Sequence, residues 1–292
     1  MNCIDRYYQS IFWALLLFLT ACGPRSVKIA VPQAYSEPRS ASLVELIEMI
    51  NERYVSVETM TVGRLQVKFT GGSISKGYLK KYPTGKGHLV AKRPNWILVT
   101  ILNPVTNSTV VTMASDSREF QIWVPRQNKY LTGKTNATTE SEDPMHSIRP
   151  GHLLPALMIA PLGEGSVEVL EERREGSVEF YVIHSIQMGQ GGGACLSRKI
   201  WIERSEFDLT RQQYFDCGQL KSDIKYDGVV QLDDRFISRS IILERISEHY
   251  KIAFTFELDS VRVNRKIEES LFSIKKPKKA ELVVLGDEDL DP

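Results

Sequence analysis

No sign of charge prevails in this 292-residue chain, where 37 Lys and Arg stand against 36 Asp and Glu. A nucleic-acid binder usually carries a strong basic excess, so that class is set aside. Long apolar runs are missing too. The first, Ile11 to Leu19, has nine residues, and the next, Leu153 to Leu162, is broken by Pro155 and Pro161; a spanning helix needs about 20. Catalytic groupings are equally scarce. The five histidines (His88, His146, His152, His184, His249) are scattered, and none has a second His or a carboxylate at zinc-site spacing. Gly71 to Ser75 lacks the trailing glycine of a nucleophile elbow. The glycines between Gly189 and Gly193 are not followed by Gly-Lys-Ser/Thr and read as a flexible hairpin loop. Glu171-Glu172 and Asp233-Asp234 lie beside turns and read as solvated surface. Neither an enzyme, a metal site nor a cofactor is expected.

Cysteine is rare, with four in the chain, and each has a place. Cys3 lies in a polar N-terminal stretch containing Arg6, ahead of the short apolar run. That run has the length of a secretory h-region. Leu19-Thr20-Ala21-Cys22 resembles the bacterial lipobox, in which the cysteine is acylated and becomes the new N-terminus. The alternative is an ordinary signal peptide with a coincidental cysteine. On the lipobox reading, residues 1–21 are a lipoprotein signal peptide and Cys22 the lipidation site. Residues 22–41, with Pro24, Pro32 and Pro38, form a flexible tether.

A folded domain is expected over residues 42–276. Ser42 and Glu45 make a capping box, and Leu43, Leu46, Ile47, Ile50 and Tyr54 recur at helical spacing, which predicts an amphipathic helix from Leu43 to Tyr54. The period then becomes two. Leu65, Val67 and Phe69 alternate with Arg64, Gln66 and Lys68, after which Gly71-Gly72 is read as a turn and Ile74 to Lys81 as the next strand. Further strands are expected at His88–Lys92, Trp96–Leu102, Val110–Ala114, Glu119–Val124 and Lys129–Thr132. Gly133 to Arg149 is a polar excursion, and His152 to Ile159 a short helix. Strands resume at Val167–Arg173, Val178–Met188, Leu196–Arg204, Leu209–Asp216, Lys221–Leu232, Arg235–Ile246 and Lys251–Val263. In the last, Ile252, Phe254, Phe256 and Leu258 share one face. Residues 277–292 read as a charged, solvated tail.

Cys195 and Cys217 are the pair left to the folded part, and an exported protein would tend to oxidise them. A hairpin centred on Glu206 sets them opposite each other, both eleven residues from its centre. Opposed cross-strand residues have Cα atoms about 4.5–5.5 Å apart, within disulfide reach. Two reduced, separately buried cysteines remain the alternative.

The order of these elements resembles the LolA/LolB-like superfamily of periplasmic lipoprotein carriers and receptors. The likeness is carried by the capped helix, then TVGRLQVKFTGG, LVAKRPNWILVTILNP and REFQIWVPRQNKYLTGK, and later RKIWIERSEFDLTRQQYFD, with Leu271-Phe272 near the terminal strand. The resemblance covers about Ser42 to Lys276. It implies a mainly β (α+β) fold: a half-open antiparallel β-barrel of about 10–12 strands, with the N-terminal amphipathic helix and the short mid-chain helix covering the concave face.

It also implies a cavity that takes the acyl chains of lipoproteins or lipids. The candidate wall is Leu46, Ile50, Leu65, Val67, Phe69, Ile97, Val99, Phe120, Ile122, Phe254 and Phe256, for which plain core packing is the other reading. In the family a soluble carrier passes cargo to a receptor that is itself an outer-membrane lipoprotein. Cys22 makes the receptor-like arrangement the closer match, and Gly23 is not the aspartate of an inner-membrane retention signal. The implied partners are acyl chains or lipids, the membrane held through acylated Cys22, and a soluble carrier protein; no nucleic acid is implied. For the carrier's lid-closing arginine the candidates are Arg64 and Arg93. A membrane-inserting apolar loop has no counterpart at Thr70 to Gly77, which is glycine-rich and polar. The competing expectation is a non-transporting envelope sensor or structural partner on the same fold.

Overall fold

The computed structural model describes residues 37–74, 76–135, 149–189, 192–232, 235–247 and 250–285. Cys22, the expected leader, most of the expected tether, most of the polar excursion and the acidic end lie outside them.

Helix α1, Leu43–Ser56, begins where the capping box placed it. The Ser42 hydroxyl accepts from the Glu45 amide at 3.3 Å, and the Ser42 amide donates to the Glu45 carboxylate at 2.7 Å. Leu46 and Ile50, one turn apart, are buried. The helix ends at Val57, whose extended backbone leads into the first strand.

That strand, β1 (Thr59–Ser73), is the centre of the sheet. On one side it pairs without a register break to β14 (Tyr250–Val263), so Val67 faces Phe256 and Phe69 faces Phe254. On the other it pairs with β2 (Lys80–Lys81) and β3 (Gly85–Lys92), with a bulge between Val62 and Leu65. Outward from β3 follow β4 (Trp96–Leu102), β5 (Thr109–Asp116), β6 (Glu119–Val124) and β7 (Lys129–Lys134). Outward from β14 follow β13 (Arg235–Ile246), β12 (Gln219–Leu232), β11 (Leu209–Asp216), β10 (Ala194–Glu203), β9 (Val178–Met188) and β8 (Val167–Glu175). Beyond β7 lies β15 (Glu281–Leu285). The result is one open sheet of fifteen strands with β15 and β8 at its edges. This is the half-open, mainly β architecture expected, with more strands than the 10–12 that the resemblance implies.

Two local expectations are corrected. Gly71-Gly72 is not a turn: β1 runs through both to Ser73, opposite Ile252 and Lys251. The glycines serve close approach instead, since a Cβ on Gly72 would lie 1.9 Å from the Tyr78 carbonyl oxygen. Nor is the segment from residue 277 wholly a solvated tail. Glu281–Leu285 pairs in parallel with β7, and Ala280 before it is buried. Its charged neighbours hid a short strand that needs β7 as partner.

The hairpin of β10 and β11 has the anticipated register, with Arg198 opposite Tyr214 and Lys199 opposite Gln213. Cys195 and Cys217 beyond the ladder are joined in a disulfide, their Cα atoms 4.5 Å apart. Helix α2, Pro150–Leu157, starts slightly ahead of the expected span and buries Leu153, Leu154, Ala156 and Leu157. It packs on β5 and β13, while α1 packs on β13 and β8, so the two helices cover one face of the sheet. The alternating buried residues of β1, β13 and β14 form the core beneath them.

Candidate functional site

Among the described residues, the covered face of the sheet carries a small apolar cavity and a larger mixed one. The first lies under α2 and has a volume of about 60 Å³. Its wall is wholly apolar: Val67, Val99, Ile101, Val111, Met113 and Ile122, with Leu153 from α2 and Phe254 and Phe256 from β14. These residues meet because one face of β1, β4, β5, β6 and β14 points at the same helix. Phe254 stacks on Phe256 at 5.5 Å and on Phe69 at 4.8 Å, so the aromatic rings form one wall.

All eleven residues proposed as the acyl-cavity wall are buried in a single core cluster. Val67, Val99, Ile122, Phe254 and Phe256 line this cavity. Leu46, Ile50, Leu65, Phe69, Ile97 and Phe120 are packed in the core outside it.

The second cavity, of about 490 Å³, opens between α1, the end of α2 and strands β11 to β13. Its floor carries Met49, Met60, Met158, Leu209 and Ile241; Arg53, Arg93, Arg235 and Asp208 stand among them. Arg53 lies three residues after Ile50, on the side of α1 that faces the sheet. Its Nη2 donates to the Phe207 carbonyl at 2.8 Å. Arg93 stacks on the Tyr54 ring at 3.5 Å, and donates from Nε to the Val57 carbonyl and from Nη2 to that of Ile159. Burial lowers the pKa of both guanidinium groups from the usual arginine value. Burial likewise raises the Asp208 carboxyl, with Arg53 opposing the shift.

Both cavities share a set of straps that hold the helices down. Arg93 ties the end of α1 to the segment after α2. Asn51 of α1 exchanges two hydrogen bonds with the main chain of Leu162, at 3.1 and 2.8 Å. From the sheet, Arg198 Nη1 donates to the Ala160 and Pro161 carbonyls at 2.9 and 3.2 Å. Its other nitrogens donate to Gln212 Oε1, and Gln212 donates to the Tyr226 hydroxyl at 2.6 Å. Burial raises the Tyr226 phenol well above its ordinary value, which keeps it a neutral partner. Of the two arginines singled out for a lid-closing role, Arg93 is thus placed between both helices. Arg64 is exposed on the sheet and pairs with Asp259 at 2.8 Å.

Arg198, Gln212, Asn51 and Arg53 escaped the sequence reading. Their signal was a polar residue in register with an apolar stripe: Arg198 shares a face with Ile200 and Ile202, and Arg53 continues the row of Leu46 and Ile50. His184 meets Glu171 at 2.7 Å across β8 and β9, but no group of three or more His, Cys, Asp or Glu suited to a metal occurs among the described residues. Among them, too, no helix is long and apolar enough to cross a membrane.

No family model and no curated protein matches the chain. Solved structures do. A DUF1329 family protein from Desulfovibrio piger aligns at 11% identity and a TM-score of 0.51, over 78% of this chain and 95% of its own. The LolA superfamily protein NE2245 from Nitrosomonas europaea aligns at 11% identity and 0.49, over 80% and 99%. A putative outer membrane lipoprotein-sorting protein domain from Vibrio parahaemolyticus aligns at 10% identity and 0.48, over 78% and 95%. The last two superpose too loosely to bear weight, and at 11% identity the first speaks to fold alone. An open, mostly antiparallel sheet behind a capped helix, with a second short helix laid across it, is the fold this chain shares with the DUF1329 family protein.

Proposed function

We propose that this protein is a membrane-anchored lipid- or lipoprotein-binding protein of the cell envelope. It holds acyl chains against the covered face of the sheet and passes them towards the outer membrane. Acylated Cys22 is its anchor on the periplasmic side, and a soluble carrier protein is its source of cargo. The observation that carries the reading is the wholly apolar cavity under Leu153, bounded by a short helix held at its far end by a few hydrogen bonds. An acyl chain gains about 0.8 kcal/mol for each methylene removed from water, so an apolar wall suffices for affinity. Neither catalyst nor cofactor is needed.

Ligand cavities span about 300–1,000 Å³, whereas this one has about 60 Å³. Cargo therefore has to lift α2, and the straps at residues 159–162 set the free energy of that opening. Native mass spectrometry of Cys22→Ser protein taken from the periplasm is the direct test. Bound acyl species are expected; their reproducible absence, even after acyl peptide is added, would sink the reading.

One observation favours the second reading, a non-transporting sensor or structural partner. Ile74, Tyr78, Leu79 and Tyr82 stand exposed in the connection from β1 to β3, Leu79 at 59%. Leu79→Asp would then abolish function in the cell while leaving acyl loading untouched.

A further inference from the structure

The cavity beside α1 is not accounted for by acyl-chain storage under α2. None of its lining residues belongs to the apolar cavity, and its volume of about 490 Å³ falls within the range of ligand sites. Two chemistries meet in it. Met49, Met60 and Met158 give a soft, adaptable apolar floor, with Phe207 at the margin. Arg53 and Arg93 are held by main-chain carbonyls, and neither forms an ion pair with a described carboxylate.

Arg53 and Arg93 are half-buried; a guanidinium partly withdrawn from water gains from an anion beside it, and its fork matches carboxylate and phosphate oxygens. Arg53 uses Nη2 for the Phe207 carbonyl, and its Nε and Nη1 take no acceptor among the described residues. Three carboxylates, Glu52, Glu206 and Asp208, also line the cavity, and among the described residues none forms an ion pair with Arg53 or Arg93. Glu206 pairs with Arg39 at 3.5 Å, more than half exposed, and Asp208 acts on Arg53 only from a distance. Backbone bonds fix where the two forks stand, so an incoming anion meets donors already in place.

We propose that this cavity binds the anionic head of an amphiphile, its carboxylate or phosphate held by Arg53 and Arg93 and its apolar body laid along the methionine floor. The inference rests on the lipid-binding reading for the class of molecule and adds a head-group site at a place of its own. A free fatty acid and a lipid phosphate both supply that chemistry.

Three probes with twelve-carbon chains separate the cases by calorimetry on full-length Cys22→Ser protein: dodecanoate, dodecyl phosphate and the uncharged dodecyl maltoside, each below micelle formation. Both anionic probes should bind more tightly than the maltoside. Arg53→Gln should weaken them by about tenfold, the scale of a lost charge-assisted hydrogen bond, and leave the maltoside unchanged. Arg53→Lys, which keeps the charge and loses the fork, should fall between; circular dichroism shows that each variant is folded. A preference for dodecanoate assigns a fatty acid and one for dodecyl phosphate a lipid phosphate, and either upholds the site. Equal affinity for all three probes, or dodecanoate binding unchanged in Arg53→Gln, would overturn it. Val99→Trp, which fills the apolar cavity, keeps the two readings apart. Dodecanoate binding lost there but kept in Arg53→Gln refutes the head-group site and leaves acyl storage standing. The converse, with no acyl species in native mass spectra, upholds the site and refutes storage.

Discussion

The cavity under Leu153 and the cavity beside Arg53 lie against neighbouring stretches of one sheet, yet their walls follow different chemistry. The first is walled by side chains that have nothing to offer a polar ligand. The second keeps charged groups at its surface, at a cost visible in their shifted ionisation: burial lowers Arg53 and Arg93 and raises Asp208. The helices explain the division. α2 presents Leu153 and Leu154 to the sheet, while α1 ends its apolar row on Arg53. The lesson is that a single sheet face can carry a wholly apolar cavity in one place and a partly charged one in another, depending on which helix covers it.

The comparison can be broken most forcefully from the apolar side. Phe256 is 1% exposed and belongs to both the core and the cavity wall. Phe256→Ala should cost about 3–5 kcal/mol in urea unfolding, while head-group selectivity beside Arg53 stays as it was. If selectivity collapses with it, the cavities are not independent. Next comes the disulfide, which touches neither cavity. Replacing Cys195 and Cys217 by serine opens a link spanning 22 residues and should cost about 3 kcal/mol on the chain-entropy model, with unchanged binding at both sites.

Arg198 sharpens the comparison from the middle, because it holds the segment between the cavities. Arg198→Met removes bonds to the Ala160 and Pro161 carbonyls and to Gln212. A loss of about 1.5–3 kcal/mol is expected, and hydrogen exchange at residues 158–162 should speed up more than exchange in β1. The smallest effect is that of pH, and its sign differs between the two sides. His152 on α2 is held well below 6.5, chiefly by burial and then by Arg245 and Arg149. The unfolded chain therefore binds the proton first, so this contribution is complete above pH 6.5 and is lost as pH falls below it. Asp208 runs the other way: raised from 3.8, it contributes fully below that pH and loses its contribution as pH rises through its folded value. Unfolding midpoints across pH should flatten on the acid side in His152→Gln, and Asp208→Asn should gain stability towards neutral pH.

Much of the architecture was legible because it is local. The Ser42–Glu45 box needs four consecutive residues, and the face of Ile252, Phe254, Phe256 and Leu258 needs only the period of a strand. The register joining Cys195 to Cys217 followed from counting outward from Glu206. Gly71-Gly72 misled because paired glycines signal a turn as readily as a crowded strand, and the crowding comes from Tyr78. β15 was missed because five residues among charges have no strand identity until β7 offers them hydrogen bonds. The apolar wall was partly legible, in Val67, Val99, Ile122, Phe254 and Phe256, since inward alternation marks burial. Burial alone does not tell a cavity wall from packed core, which is where Leu65, Phe69 and Ile97 lie.

The amino-acid sequence by itself determined the kind of fold: a capped helix, a long series of alternating strands and a cysteine pair in register. Those features depend on neighbours a few residues apart or on a count along one hairpin. Only the tertiary structure decided that Arg53, Arg93 and Asp208, separated by 40 to 155 positions, meet in one cavity, and that Arg198 reaches across to the segment after α2. Charge in a folded protein acts through space and through exclusion of water, and neither is written in the spacing of residues along the chain.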